Sequence, residues 1–205
     1  MNNRNFQKEM ENIIATNKER GIRPSLLLHA CCAPCSSTCL MRLYEAFNIT
    51  VFYYNPNITN ESEYKKRVNE VERLISLINE EYAADIDFAE GKYEPEKFIE
   101  MSTGLENEPE CGKRCHKCYR LREEATAKLT KEKGYDYFAT SLTLSPLKNA
   151  AVLNSIGEDL AAEYGVKYLV SDFKKKDGYK LSIALSAKYG LYRQNYCGCD
   201  YSKRQ

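Results

Sequence analysis

No stretch of this 205-residue chain approaches the roughly 20 consecutive apolar residues that a membrane-spanning helix needs. The opening residues, Met1-Asn-Asn-Arg-Asn-Phe6, hold no apolar core of the kind a secretory signal carries. Together these absences give the expectation of a cytoplasmic protein. Charge of one sign is missing too: 30 Lys and Arg against 29 Asp and Glu leave a net charge of +1, so no global field announces a polyanionic partner. No internal repeat or low-complexity segment is visible, which argues against a solenoid or a disordered array. At 43% hydrophobic residues the chain can bury an ordinary core, and one domain over residues 1–205 is expected.

What the chain does have is nine cysteines, in the groups 31, 32, 35, 39, then 111, 115, 118, then 197, 199. Disulfide-stapled secreted domains are usually much shorter and loop-rich. In a reducing compartment, clustered thiols bind metal or do redox chemistry.

Residues 4–20 read as an amphipathic helix with Phe6, Met10, Ile13 and Ile14 on one side. Ser25 to Leu28 is a short apolar strand behind the breaker Gly21-Ile-Arg-Pro24. From Cys35 to Phe47 the residues Leu40, Leu43, Tyr44 and Phe47 recur at helical spacing. Further strands are predicted at Ile49–Tyr54, Asp85–Phe88, Asp136–Thr140 and Val166–Val170, and helices at Glu61–Tyr82, before Met101, at Lys117–Lys133 and at Asn149–Tyr164. The charges of the Glu61–Tyr82 helix read as a solvated face. Five alternations of strand and helix predict a single α/β domain with a doubly wound, mostly parallel sheet, ending in an irregular segment from about residue 171 to 205.

The first thiol group, Leu26-Leu-Leu-His29-Ala-Cys31-Cys32-Ala-Pro34-Cys35-Ser-Ser-Thr-Cys39, thus sits on a strand-to-helix turn. In an open α/β sheet ligands bind there, and a helix N-terminus favours the thiolate that metals need. Cys39, inside the helix, reads as a buried inert thiol, and His29 as a satisfied core histidine. The second group, Cys111-Gly-Lys-Arg-Cys115-His116-Lys-Cys118-Tyr119, opens from a loop. Joined to Cys31 and Cys32, the pair Cys115 and Cys118 offers four thiolates to an iron-sulfur cluster or to zinc. Adjacent cysteines are less usual in zinc sites, which favours the cluster. The spacing of Cys111, Cys115 and Cys118 also has the form of a radical SAM motif, though it lies past the midpoint of a short chain. Cys197-Gly198-Cys199 can close only a small, strained ring, which suits a labile redox pair, with metal ligation as the competing role.

Basic residues gather near the second group, at Lys113, Arg114, Lys117, Arg120 and Arg122, and again at Lys174-Lys-Lys176 and Lys180. With Tyr119, Tyr179, Tyr192 and Tyr196 they form a candidate patch for phosphates and stacked bases. Thr140-Ser-Leu-Thr143-Leu-Ser145-Pro146 brings hydroxyls to a strand end, and Asp172, beyond the fifth strand, is a candidate oxygen ligand or proton carrier. Two classes of function remain open on the residues alone: an iron-sulfur oxidoreductase, and a zinc-stabilised nucleic-acid-binding module without catalysis.

The motifs His29-Ala-Cys-Cys-Ala-Pro-Cys35, Tyr54-Asn-Pro-Asn57, Arg114-Cys-His-Lys-Cys118-Tyr, Ser145-Pro146, Ser171-Asp-Phe173 and Tyr192-Arg-Gln-Asn-Tyr-Cys-Gly-Cys199 resemble, in this order, the cobalamin-independent epoxyqueuosine reductases of the QueH type. The resemblance implies reduction of the epoxide of epoxyqueuosine to queuosine at the tRNA wobble base, the last step of queuosine biosynthesis, with an electron donor that the sequence does not identify. It implies a 4Fe-4S cluster on Cys31, Cys32, Cys115 and Cys118, a redox-active disulfide between Cys197 and Cys199, and no cobalamin. Cys35 matches the motif and would serve an additional mononuclear iron; Cys39 and Cys111 depart from it. The core is also similar to nucleotide-binding folds of the PP-loop (HUP) type, but cysteines stand where a phosphate loop belongs, so ATP binding is not expected.

Overall fold

The computed structural model describes residues 4–203. In chain order its main elements are α1 (Phe6–Glu19), β1 (Ser25–His29), α2 (Ala33–Leu43), β2 (Asn48–Tyr53), α3 (Glu61–Tyr82), β3 (Asp87–Glu90), α4 (Pro95–Ser102), α5 (Lys113–Lys133), β4 (Tyr137–Thr140), α6 (Ala150–Tyr164), β5 (Lys167–Tyr168) and α7 (Gly178–Lys188). Every strand pairing is parallel, and the order across the sheet is β3-β2-β1-β4-β5. This is the doubly wound α/β sheet expected from the alternation of strands and helices. None of the described helices is long and apolar enough to cross a membrane.

Burial explains the sequence pattern of the central strand. Leu26 and Leu28 pack into the larger core with α2 and α3, whereas Leu27 faces the second core with Phe138 and Leu160, so β1 is apolar on both faces and reads as an unbroken run. His29 completes it, fully buried, with its ring nitrogens at 3.1 Å from the Thr140 hydroxyl and 3.1 Å from the Tyr54 carbonyl. It is the satisfied core histidine that the sequence suggested.

β3 lies two residues later than expected, at Asp87–Glu90, and α2 ends at Leu43 rather than Phe47; three further differences have local reasons. β5 spans only Lys167–Tyr168: the Leu169 amide still donates to Phe138, but Asn154 of α6 then takes both the Ser171 amide and its carbonyl, and the chain leaves the sheet. α5 begins at Lys113 rather than Lys117, with Gly112 as its cap, so Cys115 and Cys118 lie one turn apart on a formed helix. α7 occupies Gly178–Lys188, inside the segment expected to be irregular, and packs against α2.

One buried acid makes stability depend on pH. Glu123 is fully buried on α5, neither carboxylate oxygen has a protein hydrogen-bond partner, and burial pushes its carboxyl well above the ordinary range, only partly opposed by Arg122. The folded state therefore holds a proton that the unfolded state releases near pH 4.5. Stability is fully present below that pH and falls as pH rises toward the folded-state value, by about 1.4 kcal/mol per unit. Glu123→Gln is expected to remove this slope. Denaturant midpoints at pH 5 and pH 8 should show the variant gaining on the native chain at the higher pH, and parallel profiles would contradict the assignment.

Candidate active site

The reversal of strand order falls at β1 and β4, and the loops leaving these two strands build the site. β1 leads into Ala30, Cys31 and Cys32, and Cys32 is the N-cap of α2, its sulfur accepting the Cys35 amide at 3.4 Å. From the other side, β4 runs into a short turn at Ser141–Leu144, where the Ser141 hydroxyl receives the Cys31 amide at 3.2 Å and lies 3.5 Å from its sulfur. The sulfurs of Cys31, Cys32 and Cys35 stand within 4.8 Å of one another, and those of Cys31 and Cys32 are 3.7 Å apart. Hydrogen bonds from Cys32 and Cys35 hold Cys31 well below the usual thiol range, and that negative sulfur in turn pushes Cys32 up to about 12.

The three thiols line a cavity of about 370 Å³, together with Ser145, Pro146 and Lys148 from the turn after β4 and Gln194, Tyr196 and Cys197 from the C-terminal segment. A smaller cavity of about 20 Å³ adjoins it, lined by Cys115, Cys118, Cys197 and Cys199. Cys197 thus faces both. Cys31 and Cys115 also pack against the same apolar group of Tyr119, Leu142 and Leu153, while Cys118 and Cys199 meet at Phe98. All nine cysteines are free thiols here.

The C-terminal segment is carried to this place by α3. Arg67, 1% exposed, bonds Glu63 at 2.7 Å and donates to the Cys197 carbonyl at 3.1 Å; Glu63 receives the Tyr192 hydroxyl, and Glu70 the Tyr192 amide. The charges of this helix are therefore not simply a solvated face, as the sequence had suggested. Gly198 between the two thiols has a φ of +124°, and a Cβ there would meet Ile58 at 2.7 Å.

The remaining candidate residues lie apart from the tight thiol trio. Cys111 points its sulfur at the Leu147 carbonyl at 2.9 Å, and among the described residues Cys111, Cys115 and Cys118 do not form a trio tight enough to share one metal ion. Cys39 is buried in α2 with its sulfur on the Cys35 carbonyl. Cys115 and Cys118 lie outside the Cys31–Cys32–Cys35 trio. Asp172 lines a different cleft, where Lys174 lies 3.0 Å from it. The basic patch around the second cysteine group is dispersed: Arg114 and Arg122 are buried, as is Tyr119, and Arg120 pairs with Glu163.

The buried cations say what kind of group the thiols suit. Arg122 is 1% exposed, its hydrogen-bond acceptors are the neutral Cys118 carbonyl and Asn55 side chain, and its Nη2 has no protein partner. Burial alone would lower its pKa; the sulfurs of Cys118, Cys197 and Cys31 more than reverse that. Lys148, half-buried, is likewise disfavoured as a cation by desolvation and favoured more strongly by the sulfurs of Cys197, Cys31 and Cys35. A buried cation without a paired anion is costly, so this surround fits a thiolate-ligated, negatively charged centre such as an iron-sulfur cluster. Neither Lys148 nor Arg67 stood out in the sequence. Arg67 had a signal, since it interrupts the apolar stripe of Tyr64, Val68 and Val71; Lys148 had none.

The family model described as "Epoxyqueuosine reductase QueH" matches residues 26–205, a stretch that contains every thiol described above. The chain belongs to the QueH family. A Staphylococcus epidermidis protein named epoxyqueuosine reductase QueH is 44% identical over 200 residues, covering 97% of this chain and 84% of that relative. The Streptococcus pyogenes protein of the same name is 40% identical over 98% of this chain and 78% of its own length. A third QueH, from Thermotoga maritima, is 34% identical over 87% of this chain and 90% of its own length.

Proposed function

We propose that this chain reduces the epoxide of epoxyqueuosine, borne at the wobble position of tRNA, to the cyclopentene of queuosine, using a 4Fe-4S cluster and the thiols of Cys197 and Cys199. The observation that carries this reading is the position of Cys197, which lines both the cavity of the first cysteine group and that of the second. The names of these relatives, all epoxyqueuosine reductases, support the substrate.

Cys31 and Cys32 from the β1–α2 turn and Cys115 and Cys118 from α5 would hold the cluster, with Cys35 left for an additional iron. Bound there, such a centre supplies Lewis acidity toward the epoxide oxygen and a store of electrons. Cys197 and Cys199 release two electrons and two protons when they close a disulfide. The epoxide takes up both: its two carbon–oxygen bonds break, a carbon–carbon double bond forms and the oxygen leaves as water. Lys148, charged beside Cys31, Cys35 and Cys197, holds a proton where the departing oxygen needs one. Asp172 is a proton carrier on the far side of Lys148, which lines the clefts of both. An external electron donor then returns the disulfide to the dithiol.

The test is anaerobic purification, iron and sulfide analysis, and incubation of the protein and a chemical reductant with tRNA bearing epoxyqueuosine. About four irons and four sulfides per chain, and loss of one oxygen atom from the modified nucleoside by mass spectrometry, are expected. Stoichiometric zinc without sulfide, and an unchanged nucleoside, would overturn the proposal in favour of the zinc-stabilised module.

A further inference from the structure

A second cleft, of about 790 Å³, opens on the other side of Lys148. Its walls are the first turn of α1, the first turn of α6 and the loop after β5, and they carry six cations, Arg4, Lys8, Lys148, Lys174, Lys175 and Lys176, against two carboxylates, Glu11 and Asp172. Both carboxylates are already engaged, Asp172 with Lys174 at 3.0 Å and Glu11 with Lys176 at 2.6 Å. Arg4 is held by Glu9 and Glu158. Lys8 and Lys175 are exposed and have no ion-pair partner among the described residues.

The lysine loop is preformed. Arg42 of α2 donates to the carbonyls of Phe173, Lys175 and Lys176 at 3.1, 2.8 and 2.9 Å, which fixes the loop from beneath. Gly178 closes it, because a Cβ there would sit 1.7 Å from the Phe173 oxygen. Two helices of 14 and 15 residues also begin at the cleft, capped by Asn5 and Asn149, and add the positive ends of their dipoles.

Lys148 ties the cleft to the thiol cavity. It lines both, and its backbone carbonyl receives the Lys174 ammonium at 3.2 Å. A nucleotide whose base reaches the thiols therefore has its own backbone, or its neighbour's, beside this cleft.

We propose that the cleft between α1, α6 and the Lys174–Lys176 loop binds phosphodiesters of the substrate polynucleotide next to the nucleotide being reduced, with Lys8 and Lys175 as its free cations. The inference rests on tRNA being the substrate. It narrows the contact from the lysine triplet as a whole to the one lysine of the three without an ion-pair partner among the described residues, and adds one from α1.

The test compares the native chain with Lys8→Glu, Lys175→Glu and the double variant, and with Lys18→Glu at the far end of α1 as the control. Lys8 contributes only its backbone amide to the Asn5 cap, so the helix start is kept. Binding of epoxyqueuosine-bearing tRNA is measured by anisotropy across a salt series, and turnover as a function of tRNA concentration. Each lost phosphate contact is expected to flatten the salt slope by about 1, and the double variant to bind at least about tenfold more weakly at low salt. KM should rise with kcat at saturation unchanged, and Lys18→Glu should behave as the native chain. Unchanged slopes, or an equal loss in Lys18→Glu, would overturn the cleft assignment while leaving the reductase reading intact. A native chain that neither binds nor reduces the tRNA would overturn that reading itself.

Discussion

Replacing Cys197 and Cys199 together by serine is expected to lower multiple-turnover reduction of epoxyqueuosine by at least about 10³-fold, with iron and sulfide contents unchanged. Serine keeps the size and hydrogen bonding of cysteine but cannot carry an electron pair as a disulfide. Neither thiol is in the group of sulfurs that stand close enough to share one metal. Each single variant should be nearly as impaired as the double one, because a disulfide needs both sulfurs, and such residues act as a unit. The assay is turnover with a chemical reductant in excess, alongside metal analysis of the same samples. If the double serine variant keeps full turnover, electrons reach the epoxide without the dithiol. If it loses its iron instead, the pair belongs to the metal site.

The second large effect concerns which thiols hold the metal. Cys31→Ala, Cys32→Ala, Cys115→Ala and Cys118→Ala should each abolish most of the bound iron and acid-labile sulfide, whereas Cys35→Ala should retain about four of each per chain. This contrast is sharp because the structure itself groups Cys35, and not Cys115 or Cys118, with Cys31 and Cys32. A separation of 3.7 Å between two sulfurs suits ligands of one metal ion, since a metal–sulfur bond of about 2.3 Å at tetrahedral angles gives nearly that span. A sulfide-bearing cluster spreads its thiols more widely and draws on both sides of the cavity. Iron and sulfide lost in Cys35→Ala but kept in Cys115→Ala would show that the trio alone binds the metal and that the α5 thiols serve another purpose.

The layered sheet could be read from the chain because its signal is local. β1 is buried on both faces and so forms an apolar run, and α3 repeats its stripe from Tyr64 to Ile78. The thiols could be found for the same reason, as short motifs at strand and helix ends. What the sequence hid was everything decided by contacts across long separations. β5 is cut short by Asn154, a helix residue whose capture of Ser171 leaves no periodic trace. α7 has a weakly amphipathic sequence and settles on α2 through the Thr38 hydroxyl and the Gly178 carbonyl, 140 positions apart. The basic residues near Cys115 looked like a surface patch because charge is usually solvated, yet Arg114 turns inward to the Leu105 and Glu106 carbonyls and Arg122 to the thiols. Lys148 is one lysine among many until the fold places it between two clefts.

The attachment of the Tyr192–Cys199 segment to α3 has a consequence for the order in which the protein is made. All five strands, and the thiols of β1–α2 and α5, precede residue 169, so they are synthesised before Cys197. The sheet that positions those thiols is therefore complete in sequence before the Cys197–Cys199 pair is made. The dithiol is the last part of the cavity lining to be made, and it is held in place by Arg67 and Glu70 of a helix that formed much earlier in the chain.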